Sequence, residues 1–323
     1  MVEFPPRISR RSSFRGVRFS AFTLVEMLVA IAILSLLMVV IASVMNHTSS
    51  TVHIVNSKLD AFQAARAGFD ALSQKLSQAT LNTYWDYDNP NAPTKFTRRS
   101  DLHFLTTGSN GSQSLFFQSP EAVSSTPAFD QTQGLLNACG FFVEFGSDKS
   151  LVANHWTRPA HVVTDRYRYR LMQSVQPTDD FAVFRTTDNS WTAGVAATAW
   201  PLADNVIALI VEPREELTST NSVAPNYSYD SRTGTAIQKA QLPPIVQLTI
   251  VVIDEAAASR LNPPGTTSAP SAITNALAGK FSDVSKYSDD LQKLESALTA
   301  ARIKYQVFTS SVMLRESKWS SSL

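Results

Sequence analysis

The stretch SAFTLVEMLVAIAILSLLMVVIASVM, Ser20 to Met45, decides how the whole chain is read. From Met27 to Met45, nineteen residues pass without a charge, a proline or a glycine. As a helix rising ~1.5 Å per residue they extend roughly 28 Å, close to the hydrocarbon thickness of a bilayer. Eleven of the nineteen are Leu, Ile or Val, and at about −0.3 to −0.6 kcal/mol each they favour insertion by roughly 3 to 7 kcal/mol. That holds a helix in lipid without making its withdrawal impossible. One residue breaks the pattern: Glu26 places a carboxylate where the apolar run begins, and an ionised side chain inside a membrane segment needs a partner or a function.

The flanks orient the segment. Arg7, Arg10, Arg11, Arg15 and Arg18 stand against Glu3 alone in the first 21 residues, a net +4 that leaves −3 for the rest of a chain whose net charge is +1. Only Lys58 and Arg66 bring positive charge in the two dozen residues after the run, so the positive-inside rule puts the N-terminus in the cytoplasm and the body outside. Ordinary explanations fit less well. A secretory signal peptide has an apolar core of about 7 to 15 residues and a small-x-small cleavage site, which Ala42-Ser43-Val44 matches poorly. A plain anchor leaves Glu26 unexplained, and the basic leader disfavours a buried core helix.

Composition bounds the remainder. With 323 residues, 44 % hydrophobic and 17 % charged, the chain is long enough for a substantial core and is not a disordered polymer. The near-balance of 28 basic and 27 acidic residues gives no footprint for a polyanion, which argues against nucleic acid as a partner. The single cysteine, Cys139, excludes an intrachain disulfide and reads as a small buried hydrophobe.

The residues AFTLVEMLVAIAIL, Ala21 to Leu34, behind their arginine-rich leader, resemble the N-terminal signature of prepilins and pseudopilins, the subunits of type IV pili and type II secretion pseudopili. The resemblance implies cleavage by a prepilin peptidase between Ala21 and Phe22 and methylation of the new Phe22 amine. It implies that Glu26 is the acid that neutralises the amine of a neighbouring subunit during assembly, setting the axial register because an unpaired charge in an apolar bundle is expensive. Its partners would be the peptidase, other pilin or pseudopilin subunits, an inner-membrane assembly platform and the lipid bilayer. The family usually carries Gly before the cut; Ala21 is a small alternative and puts cleavage efficiency in question. RAGFDALSQKLSQATLNTYWDYD, Arg66 to Asp88, further resembles larger minor pseudopilins, and YWDYD, Tyr84 to Asp88, resembles the pilin-like Verru_Chthon cassette proteins.

Beyond Met45 the periodicity predicts that the helix continues to about Asn82. Val52, Val55, Leu59, Phe62, Ala65, Phe69, Leu72, Leu76 and Ala79 recur at spacings of three and four, with Lys58, Asp60, Arg66, Asp70 and Lys75 off the stripe. The period then changes. Strands are expected at 114–118, 140–146, 166–174, 181–185, 205–213, 245–254 and 305–314, all rich in β-branched and aromatic residues between turn formers. Asp88–Asp101, Ser219–Gly234 and Asn262–Ser271 read as loops, and Leu291, Leu294 and Leu298 mark a short helix near 284–301. The whole is an α+β chain, pilin-like by the resemblance: a leader at 1–21, a membrane half-helix at 22–45, an amphipathic half at 46–82, and a β-rich extracytoplasmic, periplasmic domain at 83–323 whose antiparallel sheet covers the stripe.

No hydrolase, metalloprotease, Walker or dinucleotide motif occurs. His155 and His161 are the nearest approach to a metal pair and lack a nearby third ligand; Asp86 with Asp88, and Asp179 with Asp180, are candidates for calcium without an EF-hand pattern. Alternation in RYRYR sets Arg166, Arg168 and Arg170 on one strand face, expected to face solvent. Neither catalysis, a cofactor nor a metal is expected. The reading is a structural minor pilin or pseudopilin subunit; the rivals are an anchored adhesin or cargo receptor exported by a pilin-type leader, and a tethered periplasmic enzyme.

Overall fold

The computed structural model describes residues 23–109, 111–129, 132, 134–155, 165–196, 198–216 and 223–320. The chain divides into two compact units, Met1–His53 and Ile54–Leu323. In the first, the described residues form the opening of helix α1, Leu24–Ser77, and every side chain from Leu24 to Asn46 is exposed. The leader, Ala21 and Phe22 lie outside the described residues.

The second unit begins with the rest of α1. Ala65, Phe69, Leu72 and Leu76 are buried, as the stripe requires, with Phe62 half-buried beside them, while Arg66 and Asp70 face solvent. The side chains of Val52, Val55, Lys58, Leu59 and Asp60 lie outside the described set. Lys75 departs from expectation, turning inward to pair with Glu121. Gly68 does not interrupt the helix; a Cβ there would stand 3.2 Å from Leu202 Cγ and 3.3 Å from Ala203 Cβ, so its small size permits close approach to the sheet. The helix ends at Ser77 rather than near Asn82. Gln78 and Ala79 bond to the carbonyls of Lys75 and Leu76, a tightened last turn, and Thr80 N–H then donates to Gln118 O, drawing the chain into the body.

The strands follow in chain order: β1 Tyr84–Tyr87, β2 Phe96–Arg99, β3 Leu105–Ser109, β4 Ser112–Pro120, β5 Leu136–Ser147, β6 Tyr167–Gln176, β7 Trp200–Asp204, β8 Val206–Arg214, β9 Tyr229–Asp230, β10 Ile245–Ile253 and β11 Tyr305–Met313. They pair antiparallel throughout, as the hairpin β1–β2, a sheet β11-β10-β8 and a sheet β7-β6-β5-β4-β3-β9. Five further helices are described: α2 Asp148–His155, α3 Trp191–Ala196, α4 Glu255–Leu261, α5 Ser271–Leu277 and α6 Tyr287–Ala300. The expected α+β class holds, with antiparallel sheets behind a long N-terminal helix.

Layering explains the sequence pattern. β8 and β10 are buried on both faces, which is why VIALIV reads as an unbroken apolar run and IVQLTIVVI as one broken only by Gln247 and Thr249, instead of alternating. Val246, Leu248, Ile250 and Val252 share the core with Leu72 and Leu76 of α1, while Val251 and Ile253 face Leu277 of α5 and Leu294 and Leu298 of α6. A third cluster, Phe116, Ala138, Phe181, Val183, Trp191 and Val195, covers the far side of the larger sheet.

Three of the expected strands and loops also need correction. FAVFR, residues 181–185, is not a strand. It follows one 3-10 turn, Thr178–Asp180, and forms a second, Ala182–Phe184, closed by Asp180 N–H to Pro177 O and Arg185 N–H to Ala182 O respectively. Phe181 and Val183 are buried at a spacing of two, which imitates strand alternation. The Asp88–Asp101 loop contains β2, because the Asn89–Pro93 cluster marks only the turn of a hairpin. Ser219–Gly234 contains β9, with Tyr227 and Tyr229 fully buried.

Candidate functional site

Thr23 stands just outside α1 and closes its start. The Glu26 N–H donates to Thr23 Oγ1 at 3.2 Å, and Glu26 Oε2 accepts from the Thr23 N–H and from the Thr23 hydroxyl, both at 3.0 Å. This is a reciprocal capping box, which satisfies two of the backbone donors that a helix start leaves unpaired and sets a negative charge at the positive end of the helix dipole. Met27 N–H to Thr23 O, 3.2 Å, is the first bond of the helix itself. Glu26 Oε1 makes no hydrogen bond among the described residues, so one carboxylate oxygen holds the cap while the other is available to an external cation. Thr23 went unread in the sequence, although Ser/Thr-x-x-Glu before an apolar run is the signature of this cap.

From here the helix offers lipid-compatible surface. Leu24–Asn46 is long and apolar enough to cross a membrane, and none of it is buried. Its hydroxyl at Ser35 donates to Ala32 O at 2.8 Å, satisfied within the helix as an apolar environment requires.

The other candidates are committed to structure. Asp88 accepts from Thr94 Oγ1, from Thr94 N–H at 2.9 Å and from Asn89 N–H at 2.9 Å, and these bonds, led by the Thr94 hydroxyl, hold its carboxyl well below the usual range. Asp86 pairs with Arg99 at 3.4 Å. Asp179 takes the hydroxyls of Ser124, Ser125 and Thr126 and the Ser125 N–H, again with a lowered pKa led by the Ser125 hydroxyl. Asp180 pairs with Arg185 at 2.7 Å. The two pairs thus pin a hairpin turn and a loop. His155 closes α2 and its side chain lies outside the described set, as does His161.

The arginines of RYRYR do not face solvent. Arg170, 3 % exposed, bonds Asp204 at 3.1 Å, Gly146 O at 2.8 Å and Asp148. Arg168 reaches Glu255 at 3.2 Å and Asp204 at 3.4 Å, and Arg166 reaches Glu255 at 3.0 Å. Burial raises the Asp148 carboxyl despite these arginines; it would raise Glu255 too, but Asn205 and the arginines outweigh it and lower that group. The network ties β6, β7, α2 and α4 together and takes up all three arginines of this strand face. Cys139 is fully buried, as expected, and burial pushes its thiol up to about 12.

A buried polar chain escaped the sequence reading. Trp191 Nε1–H donates to His103 Nδ1 at 2.9 Å, and His103 Nε2 lies 2.9 Å from Asp230 Oδ1. Indole can only donate, so Nδ1 is the acceptor and Nε2 carries the proton given to Asp230. Asp230 also accepts from Arg232 N–H at 2.8 Å, Thr233 N–H at 2.9 Å and the Thr233 hydroxyl at 2.6 Å. Burial alone would raise its pKa; the hydrogen bonds, His103 first, bring it well below the ordinary value. The chain joins β9 and α3 to the loop before β3 and presents no exposed reactive atom on His103, whose side chain is wholly buried.

A family model, the prokaryotic N-terminal methylation motif, matches residues 18–42. No curated protein matches the chain in sequence. Among solved structures, a type IV-like pilin from Thermus thermophilus aligns over 79 % of this chain and 96 % of its own, at 10 % identity and a TM-score of 0.30, too low a score to equate the two folds. The opening of α1 thus lies within the match to the prokaryotic N-terminal methylation motif, on a capped apolar helix long enough to cross a membrane.

Proposed function

We propose that the chain is a structural subunit, a minor pilin or pseudopilin, of a type IV pilus-like or type II secretion filament. Prepilin peptidase cuts between Ala21 and Phe22, and the new amine on Phe22 is methylated. The subunit waits in the inner membrane, N-terminus cytoplasmic and body periplasmic, until an assembly platform moves its helix from lipid into a bundle of sister helices. It does mechanical work and needs no catalytic group.

The observation that carries this reading is the Thr23–Glu26 box at the head of an apolar run whose side chains, Leu24 to Asn46, are all exposed among the described residues. After the cut a positive amine would sit at the positive end of the helix dipole, an unfavourable place for it. Glu26 Oε1 offers the compensating charge, and pairing it with the amine of a neighbour couples charge neutralisation to axial register.

Two substitutions separate capping from charge. Glu26→Gln keeps an oxygen that accepts the Thr23 bonds but removes the charge, whereas Glu26→Ala removes both. Both variants are expected to be cleaved normally, read by mass spectrometry, and to be missing from sheared filaments. Wild-type incorporation of Glu26→Gln would show that the carboxylate serves only the cap, and the assembly role would fall.

A further inference from the structure

Sheet edges carry unpaired N–H and C=O groups, and folded proteins close or blunt them. In this body the described edges are closed, with one exception. The outer edge of β8 is plugged by side chains: Ser112 Oγ bonds both Leu209 N–H (3.0 Å) and Leu209 O (3.3 Å), and Gln113 Oε1 accepts from Val211 N–H at 3.2 Å. β7 is five residues long, contains Pro201 and lies against α1 at Gly68. β9 is two residues long, and the β1–β2 hairpin has short strands bearing Asp86, Arg98 and Arg99.

β11 has none of these protections along its length; just past its end the Arg315 N–H donates to Ser77 O of α1 at 3.3 Å. Its nine residues, YQVFTSSVM, contain no charge, proline or glycine, and it pairs with β10 on one side only. Leu314 N–H donates to Pro244 O and Asp254 N–H to Lys304 O, which places the even-numbered residues in the hydrogen-bonded pairs with β10. By antiparallel alternation the N–H and C=O groups of Tyr305, Val307, Thr309, Ser311 and Met313 point outward. No backbone partner takes them among the described residues, and Thr309, Ser311 and Met313 are exposed.

We infer that β11 is a docking edge that accepts an extended segment of another polypeptide as a fourth strand of the β11-β10-β8 sheet. Main-chain bonds along the five outward residues supply the attachment. The flanks specify the occupant. Arg302 and Lys304 are exposed before the strand, and Arg315 and Glu316 after it, so the incoming segment is uncharged in the middle and acidic above all at the end that lies beside Arg302 and Lys304. A second copy fits worse, since antiparallel self-pairing about Thr309 brings Lys304 of each copy beside Leu314 and Arg315 of the other, with only Arg302 opposite Glu316 in its favour. The inference does not depend on the role of the N-terminal motif.

The test uses the full-length chain in detergent and the synthetic peptide Glu-Thr-Val-Thr-Val-Thr-Val-Thr-Glu, with hydrogen exchange read amide by amide. In the free chain, Tyr305, Val307, Thr309, Ser311 and Met313 are expected to exchange fast, and Phe308, Ser310 and Val312 slowly. Saturating peptide should slow the outward set by about tenfold or more, and a peptide with terminal Lys in place of Glu should protect less. Ser311→Pro removes one outward N–H without touching a β10 bond; it should weaken peptide binding by about tenfold with the slow amides still protected. Outward amides that are already slow in the free monomer, or unmoved by the peptide, overturn the inference. So does equal binding by a folded Ser311→Pro chain, and so does protection that instead follows the chain's own concentration together with a dimer in sedimentation.

Discussion

Replacing His103 with Leu tests the buried Trp191–His103–Asp230 chain and gives a magnitude that the geometry fixes. The substitution strips the acceptor from Trp191 Nε1, a side chain 1 % exposed, and a buried donor left unpaired costs about 1–3 kcal/mol. It also removes a hydrogen bond to the charged Asp230, worth about 1.5–3 kcal/mol, while Leu returns part of this through its apolar contacts. Asp230 keeps its bonds from Arg232 and Thr233 and a longer one from the Asn189 side-chain amide at 3.3 Å. The expected net loss is about 2–4 kcal/mol, read as a lower urea midpoint at unchanged m-value. Adding Trp191→Phe removes the orphaned donor, so the double variant should lose at least ~1 kcal/mol less than the sum of the singles. Acidity supplies a second readout. Burial lowers the His103 pKa, Asp230 opposes this and Arg232 adds to it. A group with a folded pKa below its unfolded value of ~6.5 gains its proton on unfolding, so its contribution is complete above ~6.5 and is lost as pH falls through the folded value. Between neutral pH and about pH 5 the wild type should therefore lose stability more steeply than His103→Leu. A single variant within ~0.5 kcal/mol of wild type, or strict additivity in the pair, would refute the reasoning.

Three further outcomes follow from buried groups and backbone. Arg170→Leu leaves Asp148 and Asp204 to Arg168 alone, at 3.6 and 3.4 Å, and should cost about 2–4 kcal/mol in urea unfolding, with Arg170→Lys recovering little because Lys cannot make the forked contacts. Cys139, fully buried with its pKa pushed up to about 12, should resist iodoacetamide at mildly alkaline pH in the folded chain and react once urea unfolds it; alkylation of the native protein would contradict its placement. Gly111 has φ +80°, and a Cβ there would lie 2.4 Å from Leu277 O, so Gly111→Ala should destabilise by more than the ~1–2 kcal/mol of the left-handed conformation alone.

Much of the fold could be read from residue order because the strongest patterns are local. The uncharged run of α1, the i, i+3, i+4 spacing of Phe69, Leu72 and Leu76, and the β-branched stretches that became β4, β5, β6, β8, β10 and β11 each announce their own period. α6 appeared from three leucines. Non-local partners caused the failures. The alternation of Arg166, Arg168 and Arg170 was legible, but the acids that bury it come from α2, β7 and α4, and nothing in RYRYR points to Asp148, Asp204 or Glu255. Phe181 and Val183 have strand spacing without a strand neighbour to bond. The division into two main sheets was invisible for the same reason: each strand names its own face and not the strand beside it. At the site the reverse held. Glu26 was conspicuous as a lone acid, whereas the neighbouring Thr23 was overlooked despite a purely local signature. α4 likewise has Asp254 as its N-cap, its side chain accepting from Ala257 N–H at 2.9 Å, a local pattern passed over in an alanine-rich stretch.

The central claim is that the basic leader is removed so that the capped helix can exchange lipid for sister subunits. N-terminal mass spectrometry of the protein extracted from membranes tests it most directly. The account requires a mature chain that begins at Phe22 and carries one extra methyl group on its terminal amine. A chain that keeps its arginine-rich leader, or one that begins beyond Met45, would contradict it.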